Sequence, residues 1–123
     1  MRVLLSIKPE FAFKIFEGTK RFEFRKAIFK RPNVKTVVVY ASSPVQQVIG
    51  EFEIDDIISN SPPAVWEKTK KHSGITRSFF NKYFENKEVA YAIKIKEAKK
   101  YDIPLCLEAF NIVPPQSYVY LDN

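Results

Sequence analysis

The sequence of 123 residues contains one cysteine, one histidine and three glycines, and it has no long apolar run. A single cysteine excludes an internal disulfide and a cysteine-rich zinc site, and one histidine disfavours the other protein-only zinc sites. We therefore predict no metal site and no cofactor. No segment approaches the roughly 20 apolar residues of a membrane span, and no signal-peptide pattern opens the chain. We expect a cytoplasmic protein without a membrane partner.

Aromatic residues, by contrast, are abundant. The chain has eleven Phe and six Tyr, and 46% of its residues are hydrophobic. This composition supplies one hydrophobic core and excludes a disordered chain. The length is that of one compact domain over residues 1–123.

Positive charge is concentrated in the first third of the chain. Residues 1–35 contain ten Lys and Arg but only three Glu, a local net charge of +7, whereas the rest carries ten basic and eleven acidic groups. A local excess of this kind attracts phosphates and speeds their encounter. The alternative is a solvated face that binds nothing anionic.

Residue patterns predict an α+β fold with more strands than helices. Apolar or alternating runs predict strands at residues 2–7, 20–26, 36–41, 47–58, 88–97 and 117–121. A short amphipathic helix is expected at 9–17, a helical stretch from Ser61 to a stop near Gly74, another helix at 76–84 and a helical turn at 105–110. Alternating strands in so short a chain favour a small, partly closed mixed β-barrel.

Known catalytic motifs are absent, since the sequence has no GxGxxG, GxxxxGK[ST], GxSxG or HExxH pattern. Cys106 and His72 could form a nucleophile and base, but we interpret Cys106 as a buried apolar filler and His72 as a cation at a helix end.

One cluster of charged residues stands out, Gly18-x-Lys20-x-x-Glu23-x-Arg25. A half-buried Lys–Glu pair has shifted pKa values and can transfer protons, and an arginine binds phosphate through two parallel hydrogen bonds. Ser6 and Lys8 lie close by, where the first strand leads into the first helix. The alternative is an exposed strand face covered with ordinary ion pairs.

Three segments of the chain, at residues 6–26, 37–54 and 72–95, resemble ASCH domains of the PUA-like superfamily. They are most similar to a group of small prokaryotic proteins described as predicted transcriptional regulators. Gly18, Lys20, Glu23 and Arg25 match the GxKxxExR signature one by one. The resemblance implies a PUA-like β-barrel with one helix after the first strand, a helical insertion before the later strands, and a cleft beside the first helix.

The resemblance also implies binding of RNA or a nucleotide. The binding residues that we predict are charged or hydroxylated side chains of the motif, the first helix entry and the turn after the third strand: Ser6, Lys8, Lys20, Arg21, Glu23, Arg25, Lys26, Ser42 and Ser43. We expect Lys30 and Arg31 to track phosphates as well. Tyr40 or Trp66 could stack on a base, with Trp66 the more open of the two.

Two further functions stay open. One branch of the superfamily contains small amidohydrolases that deacetylate acetylcytidine, and some relatives are ribonucleases. In such a metal-independent hydrolase Lys20 and Glu23 would be catalytic, although Glu23 stands where that branch has threonine. A protein partner is the third possibility, with Phe13 and Phe29 expected at the surface. The sequence does not reveal the oligomeric state.

Overall fold

The computed structural model describes residues 1–121, and its elements follow the predicted order. The strands are β1 (Arg2–Ile7), β2 (Phe22–Arg25), β3 (Thr36–Ala41), β4 (Gln47–Asn60), β5 (Ala90–Leu105) and β6 (Tyr118–Leu121). The helices are α1 (Pro9–Glu17), α2 (Pro62–Thr69) and α3 (Arg77–Tyr83), with 3-10 turns at Lys70–His72 and Leu107–Phe110.

The strands form one curled, half-barrel sheet in the order β2-β5-β4-β3-β1-β6. Strands β1 and β3 are parallel, and the other neighbours are antiparallel. The predicted fold class is confirmed, including the helix after the first strand and the helical insertion between β4 and β5. Since β2 and β6 are the two edges, the open seam of the barrel runs between them.

The sheet is covered by apolar side chains on both faces. One cluster packs α1 against the sheet and includes Ile15, Val37 and Phe52. A second cluster lies under α2 and α3, and a third includes Leu107 and Leu121. Strand β3 is buried on both faces, as its run of valines predicts.

Strand β5 is much longer than the pattern predicted, since it continues from the expected end at residue 97 to Leu105. The charged run at residues 96–100 (KEAKK) interrupts the alternation and Pro104 disfavours a strand, yet Ala98, Lys100 and Leu105 pair with β4. The backbone ladder with β4 therefore carries the strand across this interruption to Leu105.

Three expectations about single side chains were wrong. Cys106 is exposed rather than an apolar filler, because it follows the end of β5. Phe29 is only 7% exposed, because the basic loop folds it into the core beside Tyr118, whereas Phe13 is exposed as expected. Trp66 is more open than Tyr40, as expected, but at 9% exposed it is buried between α2 and α3 against Phe80 and is not available for stacking.

Candidate functional site

A cavity of about 230 Å³ opens beside the first helix, at the place where β1 ends. Its walls come from β1, the start of α1, β2, α3 and the segment that precedes β6. The residues that line it are Ser6, Ile7, Lys8, Phe11, Lys20, Glu23, Phe24, Arg25, Ile75, Phe79, Tyr83 and Gln116. Five of the predicted site residues, Ser6, Lys8, Lys20, Glu23 and Arg25, therefore share one cavity.

Lys20 is buried at the bottom of this cavity, with 2% of its surface exposed. Its Nζ donates a hydrogen bond of 2.9 Å to the carbonyl oxygen of Ser73 and lies 4.5 Å from the centre of the Phe24 ring. Burial lowers the pKa of Lys20 to about 8, while the carboxylate of Glu23 opposes the shift and the positive charge of Lys14 adds to it. Lys20 therefore stays mostly protonated at neutral pH but can lose its proton slightly above it.

The loop between the 3-10 turn and α3 fixes Lys20 in place. Gly74 has a φ of +70°, and a Cβ there would lie 2.5 Å from Cβ of Lys20, so glycine permits this close approach. The Gly74 carbonyl oxygen also accepts a hydrogen bond from Lys14 Nζ at 3.1 Å. Two lysines of the α1 region thus bind consecutive carbonyls of one loop.

Arg25 joins the two edges of the sheet. From β2 its Nη1 donates to the Ser6 carbonyl oxygen at 3.3 Å, and its Nη2 donates to the carbonyl oxygen and Oγ of Ser117 at 3.1 and 3.2 Å. Nη1 also pairs with the Glu23 carboxylate at 3.2 Å. These contacts engage most of the five N–H donors of the guanidinium. Arg25 thus closes the seam between β2 and the β1–β6 edge.

Glu23 is 5% exposed and belongs to this network. The alternative interpretation of the motif, an exposed strand face with ordinary ion pairs, is therefore wrong. The alternation of residues 20–26 is real, but every residue of β2 is buried or half-buried, and Glu23, Phe24 and Arg25 all line the cavity.

Aromatic rings form the opposite wall. Phe79 lies edge-on to Phe11 with centroids 5.2 Å apart, and its ring is within 13° of parallel to that of Tyr83. The Tyr83 hydroxyl donates to the Phe24 carbonyl oxygen at 3.3 Å, and burial is the main reason that the pKa of Tyr83 is raised.

Phe79 and Tyr83 are not among the binding residues that the sequence predicted. A signal was present, because α3 has two aromatic pairs at a spacing of four residues, 79/83 and 80/84. A seven-residue helix has one buried face, which Phe80 and Phe84 occupy. The other pair therefore faces the cavity.

Two cations lie at the rim of the cavity. Lys8 precedes α1, and its Nζ is 5.8 Å from the Phe79 ring centre. Lys26 follows β2, and its Nζ is 4.7 Å from the Tyr83 ring centre. Both side chains are exposed, so they extend the positive charge of the cavity to the surface.

Other predicted site residues lie elsewhere. Arg21 lines a separate groove between α1 and β5. Ser42 and Ser43 occupy the turn after β3, where the Ser42 N–H donates to the Ile7 carbonyl oxygen, and neither lines the cavity. Tyr40 and Trp66 are buried, so neither presents a face for base stacking.

The described residues 1–121 contain no group of three or more His, Cys, Asp or Glu side chains that could hold a metal ion. In the same part of the chain, none of the helices has the length and apolar character needed to cross a membrane.

The family model of the ASCH domain matches residues 5–99. The chain belongs to the ASCH domain family. The crystal structure of ASCH from Zymomonas mobilis has a TM-score of 0.90 to this ASCH domain at 28% sequence identity, over 98% of this chain and 87% of that chain. The resemblance to ASCH domains that residues 6–26, 37–54 and 72–95 show is thereby confirmed.

Related sequences include proteins of different size. The ASCH domain-containing ribonuclease of Zymomonas mobilis is 28% identical over 96% of this chain and 82% of its own length. In Ureaplasma parvum, ATP synthase subunit alpha is 35% identical and large ribosomal subunit protein uL22 is 28% identical, each over 97% of this chain. This ASCH domain spans only 15% of the former and 39% of the latter.

Proposed function

We propose that this ASCH domain binds single-stranded RNA and holds one of its nucleotides in the cavity of the GxKxxExR motif. The observation that carries the proposal is the buried, cationic Lys20 at the bottom of a cavity walled by Phe11, Phe24, Phe79 and Tyr83. A free nucleotide has the same chemistry and is the smallest ligand of this kind. Such binding suits a regulator of transcription or translation.

The charge of Lys20 is incompletely compensated by the protein. None of the ion pairs within residues 1–121 includes Lys20, and its hydrogen-bond partner is a neutral carbonyl. Burying a cation in this way is unfavourable unless an anion or acceptor approaches it. A phosphate or a base carbonyl in the cavity would supply that acceptor.

The aromatic wall provides the second half of a nucleotide site. Recognition of single-stranded RNA relies on bases that stack on aromatic rings or on guanidinium planes. Each such stack contributes about 1–3 kcal/mol to binding. The positive rim formed by Lys8 and Lys26 is placed to meet the adjoining phosphates. The relative from Zymomonas that is named a ribonuclease supports RNA as the ligand.

The test is titration of the purified protein with a short, fluorescently labelled single-stranded RNA at several salt concentrations. Binding through phosphates predicts a log–log slope of about −0.7 for each contact. Phe79→Ala should weaken binding at least about fivefold through the lost stack. Phe13→Ala, which changes an exposed Phe on α1 that does not line the cavity, is the matched control. Absence of binding at low salt would exclude this function.

A second candidate function, a hydrolase acting on RNA or on a modified nucleoside, is favoured by the lowered pKa of Lys20. Neutral Lys20 would accept the proton of the attacking hydroxyl or water, and Glu23 would tune the pKa of Lys20. The two functions have opposite pH dependence. Turnover with Lys20 as base should rise as the pH passes about 8, whereas RNA held by protonated Lys20 should bind more weakly there. To distinguish the two functions, the natural protein and Lys20→Ala are incubated with RNA and with acylated nucleosides across this pH range, and turnover is measured.

A further inference from the structure

A second cationic and aromatic feature lies outside the cavity, on the loop between β2 and β3. The phenol oxygen of Tyr120 on β6 accepts hydrogen bonds from the backbone N–H groups of Lys30 at 2.8 Å and Arg31 at 3.0 Å. These two bonds fix the tip of the loop to an edge strand. The loop therefore presents its basic side chains from a defined position.

The guanidinium of Arg31 lies over the ring of Tyr120. Its guanidinium carbon is 4.2 Å from the centre of the Tyr120 ring, while Arg31 as a residue is exposed. The ring thus contacts the guanidinium from one side, and the exposed remainder of the side chain is open to a ligand. Because the cation–π contact orders a long side chain in advance, less rotamer entropy is lost when a ligand binds it.

This Arg31–Tyr120 pair is connected to the cavity by a short segment. Gln116 lines the cavity, and Ser117 accepts two hydrogen bonds from Arg25. Tyr120 follows Ser117 by three residues in an extended segment, a separation of about 10 Å. A single strand of RNA that leaves the cavity would have to span about this distance along β6 to reach the pair.

We propose that the Arg31–Tyr120 pair is a second nucleotide subsite, in which a base of the RNA strand stacks on the free face of the Arg31 guanidinium. The N–H edge of Arg31 and the ammonium group of Lys30 face the neighbouring phosphates. The inference rests on the proposed RNA-binding function and adds to it a minimum ligand length, since a nucleotide in the cavity alone does not reach Arg31. Guanidinium planes and aromatic rings are the surfaces on which unpaired RNA bases stack.

The experiment measures affinity for oligoribonucleotides of increasing length, from a dinucleotide to a hexanucleotide, at one low salt concentration. For the natural protein, affinity should rise with length as the strand reaches Arg31. In Arg31→Ala the affinity for the hexanucleotide should be about tenfold lower than in the natural protein, whereas the affinity for the dinucleotide should be unchanged. Arg31→Lys keeps the charge but loses the flat face, so it should behave more like Arg31→Ala than like the natural protein.

The matched control is Lys35→Ala, which removes one exposed positive charge from the same loop. Equal losses in Arg31→Ala and Lys35→Ala would show that only charge matters and would overturn the subsite. The subsite would also be overturned if affinity does not depend on length, or if Arg31→Ala weakens binding of the dinucleotide and of the hexanucleotide equally. Failure of the natural protein to bind any of the oligonucleotides would instead contradict the RNA-binding function itself.

Discussion

Lys20 is the residue whose environment departs furthest from that of an ordinary lysine. It is buried against Phe24 and Phe11, and a neutral carbonyl rather than a carboxylate accepts its hydrogen bond. Such an arrangement costs stability, because a buried cation whose hydrogen-bond partner is neutral is unfavourable, and it suits the proposed binding of an anion.

Replacement of Lys20 by methionine should therefore stabilise the free protein at neutral pH. The pKa of Lys20 falls from 10.5 to about 8 on folding, a penalty on the charged form of about 3 kcal/mol. Loss of the hydrogen bond to Ser73 offsets part of this, so the expected gain is about 1–2 kcal/mol at pH 7. Denaturant unfolding of Lys20→Met and the natural protein measures it.

The pH dependence of stability gives an independent check on Lys20. Between pH 8 and 10.5 the unfolded chain holds the Lys20 proton and the folded protein does not, so this group makes stability rise with pH in that window. The rise should be smaller in Lys20→Met and should persist in Lys35→Met, which changes an exposed lysine. Identical profiles for the two variants would contradict the assigned burial.

At the residue scale, the sequence predicted that the charged side chains of the motif lie together but not what each of them contacts. The spacing of Lys20, Glu23 and Arg25 indicated a charged cluster, and all three line the cavity. The pattern could not show that Arg25 donates hydrogen bonds to the opposite edge of the sheet, since Ser117 is far away in sequence.

At the element scale, the Arg25 network holds β2 against the segment that leads into β6. Arg25→Lys keeps the charge but cannot make the same set of bonds, so a loss of about 1–3 kcal/mol in stability is expected. Hydrogen exchange should also become faster at the β6 amides. Arg21→Lys, an exposed change just before β2, is the control. Unchanged exchange in β6 would show that the seam is closed by other contacts.

Two glycines with positive φ provide a matched test of the loop that holds Lys20. Gly18 ends α1 at φ +89°, and a Cβ added there would have no atom within 4 Å, whereas a Cβ at Gly74 would collide with Lys20. Gly18→Ala should cost about 1 kcal/mol through backbone strain alone. Gly74→Ala should cost more and should also weaken RNA binding, because Lys20 has to move. Thermal unfolding and RNA titration of both variants measure the two effects. Equal losses of stability and of RNA binding in the two variants would contradict this role of the loop.

The elements were predictable where local signals are strong. Pro9 and Gly18 delimit α1 and the valines define β3, and both elements match the prediction. The end of β5 was not predictable, because the charged run at residues 96–100 interrupts the alternation and pairing with β4 carries the strand across it. The orientation of α3 was not predictable either, because tertiary packing decides which of its two aromatic pairs faces the core.

At the scale of the whole molecule, the closed seam brings part of the positively charged first third of the chain together in and around the cavity. Lys8, Lys20 and Arg25 line the cavity, Lys26 lies at its rim, and Arg31 lies on β6 beyond Ser117. A local field of this kind speeds the encounter with an anionic ligand more than the same charge spread over the surface, and the effect weakens as salt is added.

Two double variants with the same change in net charge test whether that field is local. Lys26→Glu with Lys30→Glu reverses charge between the cavity and the Arg31–Tyr120 pair, whereas Lys87→Glu with Lys99→Glu reverses it at exposed positions on other elements. Stopped-flow association with RNA at low salt should slow about tenfold or more in the first and much less in the second. The difference should shrink at high salt, because screening removes steering. Equal slowing in both variants would mean that total charge governs the encounter, and the basic first third would then have no directing role.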